Sequence, residues 1–266
     1  MRYAKLLTPD GPLYVEVEDR DGTLFACGSI AAPEEDPLPH LRAAVTFRPA
    51  PLESFSLLSP VRPPKIVCVG RNYREHAAEM GDEVPKEPLT FLKAPSSLLP
   101  PGGTILLPPI SSRVDFEGEI AIVIGRRCHR IGPDEDILQY IRGYTLVNDV
   151  SARDLQKSDG QWTRAKGYDT FCPVGPLVSD QLNPATGDAV TLTTRLNGEV
   201  RQQASTADLI FPIPELLRYI TSFLTLEPGD LIPTGTPSGV GPLQAGDVVE
   251  VEMAGLGVLR NQVAAG

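Results

Sequence analysis

Aromatic residues make up only 6% of the 266 positions, while there are 27 Pro and 24 Gly. That mixture excludes a helix bundle and favours many short strands joined by punctuated turns. No segment approaches the roughly 20 consecutive apolar residues that span a bilayer, and residues 1–30 lack a basic region followed by an apolar run, so a cytoplasmic protein is expected. Positive charge is also short: 24 Lys and Arg face 34 Asp and Glu, a formal net charge of -10. A duplex nucleic-acid binder needs a clustered basic face, so that class is disfavoured. The four cysteines, Cys27, Cys68, Cys128 and Cys172, form no CxxC pair, and the three histidines form no HxxxH. A zinc cage is therefore not indicated, and the cysteines are expected as reduced, mostly buried thiols. Any metal would be held by carboxylates, which points to a hard ion, magnesium or manganese.

What is present fits one large domain or one plus a small appendage, with 41% hydrophobic and 22% charged residues. Runs such as LYVEVED and TLFACGSI, broken at Asp10-Gly11 and Asp21-Gly22, predict a hairpin-rich unit at the N-terminus. Residues 31–64 are dense in Pro and acidic residues and read as extended connector. The division expected is a small N-terminal β-rich unit with its connector over 1–60 and a main domain over 61–266. In the main domain, KIVCVG predicts a strand, and NYREHAAEMG a short helix closed by Gly81. DFEGEIAIVIG and GYTLVNDVS predict strands, a helix is expected from about Asp134 to Ile141, and Trp162 to Pro176 reads as loop. IPELLRYITSFLTL predicts a helix over 213–226. The C-terminal stretch has the turn density of a curled sheet.

Glu117 and Glu119 lie two apart on a predicted strand, so both project from one face, with Asp115 before them and Ala121 and Val123 after. Phe116, Ile120 and Ile122 take the other face, which places the carboxylates at the rim of a core. A Glu-x-Glu pair also serves as a solvated face. Asp149, the one acidic residue in GYTLVNDVS, supplies a third carboxylate, although it equally suits capping of the turn SARD. Three converging carboxylates suit a dication whose open positions take water and substrate oxygens.

Other polar groups carry similar alternatives. His76 and Glu79, three apart on the short helix, make a base with its orienter, or a surface ion pair beside Arg74 and Glu75. Lys166 suits stabilising an oxyanion, or is simply a solvated lysine. Arg153 and Gln156, three apart, suit a substrate carboxylate. The run TGTPSGVGP lacks a GK[ST] ending and is no P-loop; its amides and the Thr236 hydroxyl suit cradling a carboxylate, or form a plain turn cluster.

Taken together, GRNYREHAAEM, DFEGEIAIVIG, GYTLVNDVSARDLQ, WTRAKGYDTFCPVGP and GTPSGVGPLQAGDVVEVEMAGLGVLRN resemble the fumarylacetoacetate hydrolase family, in the family's order, over roughly residues 61–266. The resemblance implies an α+β, β-rich fold, a mixed β-roll with few helices and a variable N-terminal unit, usually dimeric. It implies Glu117, Glu119 and Asp149 as ligands of magnesium or manganese, His76 with Glu79 as a water-activating dyad, and Lys166 as the active-site lysine. Arg71, Lys93, Arg153, Gln156 and Thr236 match substrate contacts. The loop KSDGQ before Trp162 is shorter than in some relatives.

The implied activity is carbon-carbon hydrolysis of an acylpyruvate, or a related decarboxylation, on a small 2-oxo acid. Two alternatives share the same metal chemistry: a 2-hydroxyhepta-2,4-diene-1,7-dioate isomerase of aromatic catabolism, and an oxaloacetate keto-enol tautomerase. The His76 and Glu79 pair leans toward hydrolysis or decarboxylation, because enol-keto isomerisation needs no activated water. A non-catalytic ligand-binding or scaffold protein is a reading of a different class.

Overall fold

The computed structural model describes residues 1–33 and 48–266, so most of the acidic, Pro-rich part of the expected connector lies outside the described residues. Its largest element is a 12-stranded mixed sheet. The N-terminal strands Arg2–Thr8, Gly11–Arg20 and Thr23–Ser29 form a meander. Asp21 (φ 53) and Gly22 (φ 84) make its tight second turn, a left-handed pair that suits the twist of the flanking strands. The meander is continuous with the rest of the sheet, because Arg2–Thr8 pairs antiparallel with Cys172–Ser179.

Beyond Cys172–Ser179 the order runs through Ile141–Asn148, Gly118–Ile124, Leu231–Pro233 and Ile66–Gly70 to Leu89–Lys93 at the edge. Gly118–Ile124 is hydrogen-bonded on both sides. Its alternation divides two cores: Ile120, Ile122 and Ile124 pack in one, Ala121 and Val123 in another with Ile66 and Cys68. The first core also takes Val251 and Met253, from the second sheet. That second sheet has five strands and is built from Thr104–Leu107, Thr191–Leu196, Glu199–Ser205, Val248–Met253 and Gly257–Ala265.

Four short α-helices are seen among the described residues: α1 (Arg74–Glu79), α2 (Arg153–Ser158), α3 (Thr163–Gly167) and α4 (Ile213–Phe223). α4 buries Ile213, Leu216, Leu217 and Ile220, one stripe at helical spacing. It ends at Leu224, which is extended, sooner than the 226 expected. The helix expected from Asp134 is only a 3-10 turn, Ile137–Tyr140. Local side chains compete for the backbone there: Glu135 accepts from Gly132 N–H, Asp136 accepts from Leu138 N–H, and Ile141 already pairs with Ile124. The expected loop after Trp162 instead contains α3.

The two acidic segments depart from simple strands in the same way. DFEGEIAIVIG breaks at Glu117: Val114–Phe116 belongs to a separate three-stranded sheet with Ser151–Ala152 and Gly241–Pro242. GYTLVNDVS likewise leaves the large sheet after Asn148 and joins the small one at Ser151. Phe116 therefore packs in a third core, apart from Ile120 and Ile122. Cys68, Cys128 and Cys172 are buried free thiols and Cys27 is half-buried; burial pushes the Cys172 thiol up to about 12.

Candidate active site

The two sheet-crossing points lie side by side, and this is what gathers the carboxylates. Asp149 N–H donates to Glu117 O (2.8 Å), while Glu117 N–H donates to the side chain of Asn148 (2.9 Å). Between the glutamates, Gly118 leaves no room for a side chain, since a Cβ there would lie 2.0 Å from Thr194 Oγ1. Glu117, Glu119 and Asp149 are all buried, and each offers an oxygen within 4.8 Å of the others'.

Asp115 does not join them. Its carboxylate is held by Arg113 (2.9 Å) and Arg153 (2.9 Å). Arg153, at the start of α2, also reaches Glu117 Oε1 at 2.6 Å and donates to Gln156 Oε1 at 3.0 Å. Lys166, buried on α3, bridges Glu117 Oε2 (2.8 Å) and Asp149 Oδ2 (2.7 Å). Lys93 is buried too, bound to Asp149 Oδ1 (2.6 Å) and to Val150 O.

These pairs leave the carboxylates in unequal positions. Burial would raise the Glu117 carboxyl, but Arg153 and Lys166, then His76, outweigh it and hold it below the usual carboxylate range. For Lys166, burial works against the charged form and Asp149 and Glu117 overcome it, so its ammonium is held above the usual lysine value. Glu119 has a single hydrogen bond from Gly235 N–H (2.8 Å) and no Lys or Arg partner among the described residues. Burial, followed by repulsion from Asp149 and Glu117, pushes its carboxyl well above the usual range. An under-compensated buried anion beside two further oxygen donors is the setting in which a hard dication fits.

His76 lines the cavity above these groups, 5% exposed, with Nδ1 3.3 Å from Glu79 Oε2. Gly239 N–H donates to both Glu79 oxygens (3.0 and 3.2 Å), and Ser238 Oγ donates to Glu75 at 3.2 Å. The amides of the Gly-rich run thus hold carboxylates of this chain, Glu119 and Glu79. The Thr236 hydroxyl lines the cavity but donates to Gly118 O (2.9 Å) and accepts from Gln202 (2.8 Å). Arg71, Gln156 and Lys166 line the same cavity, whereas Lys93 stands behind Asp149 and outside its lining.

A family profile described as Fumarylacetoacetate (FAA) hydrolase C-terminal matches residues 65–264. The chain belongs to the fumarylacetoacetate hydrolase family. It is 45% identical over 263 residues to Protein Rv2993c of Mycobacterium tuberculosis, covering 99% of this chain and 98% of that one. To the oxaloacetate tautomerase YisK of Bacillus subtilis it is 41% identical over 224 residues, covering 80% and 74%. Among solved structures, that of a 2-hydroxyhepta-2,4-diene-1,7-dioate isomerase from Mycobacterium marinum matches with a TM-score of 0.84 at 42% identity, covering 100% of this chain and 98% of that one. The β-rich architecture with few helices is that of the fumarylacetoacetate hydrolase family.

Three further residues shape this cavity although the sequence assigned none of them a role in it. Asn72 is fully buried and ties the entry of α1 to Phe211 and Thr234 through three side-chain hydrogen bonds. Gln202, from the second sheet, accepts from Gly118 N–H and donates to Thr236 and Pro237. Trp162 packs edge-on against Phe91 in the cavity wall. Asn72 and Trp162 lie inside recognisable motifs, but nothing in VRQQAS marks Gln202.

Proposed function

We propose that this chain is a divalent-metal-dependent enzyme that moves a proton on a small 2-oxo acid, interconverting keto and enol forms or shifting the adjacent double bond. The observation that carries the enzyme reading is the His76 and Glu79 pair in the wall of a cavity that also holds Glu117, Glu119 and Asp149; the pair alone suits hydrolysis at least as well, and what tips the reading toward proton transfer is the relatives. Its support from relatives is that a tautomerase and an isomerase are among the proteins the chain is similar to.

Glu117, Glu119 and Asp149 would hold magnesium or manganese. When bound, such an ion draws electron density from a 2-oxo oxygen and makes the neighbouring C–H more acidic. His76 presents Nδ1 to Glu79, which leaves Nε2 to take the proton and return it. Glu79, itself held by Gly239 N–H, stabilises the imidazolium formed in between. Lys166 places an ammonium beside the carboxylates, where charge develops on the substrate oxygens. Arg153 and Gln156 orient the substrate carboxylate, with Thr236 closing that side. A homodimer belongs to the same reading.

Hydrolysis of an acylpyruvate is the second reading, because a buried base oriented by a carboxylate equally draws a proton from water. The two separate on products. With oxaloacetate and magnesium, enol absorbance is expected to change faster than in buffer while a coupled lactate dehydrogenase assay detects no pyruvate. Release of pyruvate from acylpyruvates, with no faster tautomerisation, would replace the proposal by hydrolysis. Inactivity on both, with magnesium and with manganese, would leave a binding or scaffold protein.

A further inference from the structure

The segment of α1 lines two separate cavities. His76 and Met80 line the one that holds the carboxylates, whereas Tyr73, Arg74 and Glu75 line a second, of about 580 Å³, with no lining residue in common. Its other walls bring Gln203 from the strand Glu199–Ser205, Asp208 from the turn Thr206–Asp208, and Ser238 from the Gly-rich run. Ala204, Ala207, Leu209 and Pro237 complete it with apolar surface. An isolated β-bridge joins Tyr73 to Leu209, so the backbone on both sides of this space is fixed.

Several polar groups here lack partners. Tyr73 is 3% exposed, and its hydroxyl has no hydrogen bond among the described residues. A buried phenol ordinarily finds a partner, so this one is set to receive it. Burial, then the carboxylates of Glu119 and Asp208, push its ionisation above the usual phenol value, which keeps the proton available for donation. Arg74 has no ion pair and Gln203 no side-chain hydrogen bond among the described residues. Asp208 Oδ2 accepts from Ser205 N–H (3.1 Å), which leaves Oδ1 open, and Glu75 Oε2 accepts from Ser238 (3.2 Å). Exposed Arg and Gln side chains are ordinary by themselves. A buried, unpartnered phenol among them is not.

We propose that this second cavity binds a small zwitterion, an α-amino acid with a short aliphatic side chain, and that its occupancy steadies α1. The donor set decides the class. A plain anion would gain Arg74 and the Tyr73 hydroxyl but face Asp208 and Glu75; a plain cation would meet the reverse. A molecule carrying both charges satisfies both sets, its carboxylate on the Arg74 guanidinium and Tyr73, its ammonium on Asp208. The apolar remainder suits a few methyl groups. Because Arg74 belongs to α1 and Asp208 to the opposing turn, a ligand held between them ties that helix down, and His76 is carried on the same six residues. The inference stands apart from the reaction, since none of these side chains lines the catalytic cavity.

The probes are L-valine, 3-methylbutanoate, which lacks the ammonium, and isobutylamine, which lacks the carboxylate. Ligand-observed NMR on the full chain reads binding, and hydrogen exchange followed by mass spectrometry reads α1. L-Valine is expected to bind saturably and each truncated probe about tenfold or more weakly. Arg74→Met and Asp208→Asn should each weaken L-valine by about tenfold, and Tyr73→Phe by about threefold or more. Arg74→Met changes an exposed side chain, and Asp208→Asn keeps an acceptor for Ser205 N–H, so both variants keep the fold's contacts. Saturating L-valine should slow exchange of the α1 amides by about twofold or more. Absence of saturable binding overturns the site, as does equal affinity for 3-methylbutanoate. Affinity unchanged in both Arg74→Met and Asp208→Asn places the amino acid elsewhere, the catalytic cavity included, and overturns it too. Unchanged exchange of α1 under saturating L-valine overturns the coupling.

Discussion

Glu119 Oε2 accepts a hydrogen bond from Gly235 N–H at 2.8 Å, the one hydrogen bond to this fully buried carboxylate among the described residues. Burial, then repulsion from Asp149 and Glu117, pushes its carboxyl well above the usual range, so holding it ionised in the fold costs stability, a cost that grows as pH rises. Glu119→Gln is expected to stabilise the metal-free protein by roughly 1–3 kcal/mol, about 2–4 °C in Tm for each kcal/mol. Magnesium at a hundred times its Kd should stabilise the unsubstituted protein by about 2.7 kcal/mol and the variant far less. Differential scanning fluorimetry with and without magnesium reads both effects; a variant that keeps the full metal shift would remove Glu119 from the ligand set.

For proton transfer, His76→Ala is expected to lower kcat by about 10²–10⁴. Glu79→Gln should lower it less and leave KM nearly unchanged, because Glu79 orients His76 without touching substrate. Exchange of the substrate's C3 protons with deuterated water, followed by NMR, is the direct measurement. Full exchange in His76→Ala would reassign the base.

Gly118 separates the two glutamates and fits against Thr194, whose Oγ1 would lie 2.0 Å from an added Cβ. Gly118→Ala is expected to weaken magnesium binding by about 10–100-fold, as loss of support behind metal ligands generally does. Adding Thr194→Ala removes the hydroxyl that the new methyl strikes and should recover part of the affinity. Calorimetric titration of both variants checks this, and no recovery in the double variant would locate the damage elsewhere.

Asp154 ties α2 to the preceding loop. Hydrogen bonds from the Ser111 hydroxyl, then the Ser112 amide and hydroxyl, hold its carboxyl down at about 2, from an ordinary 3.8. A depressed carboxyl stabilises the fold above the unfolded value and loses that contribution as pH falls through the folded one. Between pH 4 and pH 2, therefore, urea midpoints should fall less steeply for Asp154→Asn than for the unsubstituted protein. Parallel slopes would show that the Asp154 contacts with Ser111 and Ser112 do not titrate with folding.

Alternation made Glu117 and Glu119 legible as two carboxylates on one face of a strand with a buried continuation, while Asp149 stood out only as the one acidic residue of another strand, and the family resemblance joined the three. Alternation misplaced Asp115 for a reason no period-two pattern contains: the backbone changes sheet at Glu117, which turns Asp115 toward Arg113 and Arg153. The pairing of Lys93 with Asp149 and the reach of Gln202 to Gly118 depend on contacts far apart in the chain. The helix expected from Asp134 failed locally, where Glu135 and Asp136 bind backbone amides and stop at a single turn. Placement of α4 succeeded because its apolar stripe and flanking prolines agree.

The strand Gly118–Ile124 is paired on both edges and packed on both faces, whereas His76, Arg71 and Trp162 ride on short segments at the rim. Such a division separates anchor from tooling. Amides of the anchor should exchange with solvent only when the whole molecule opens, while those of α1 open on their own. Rim segments are then free to diverge without disturbing the frame beneath them, so one ion-holding scaffold can be refitted for neighbouring chemistries by changes that never reach its centre.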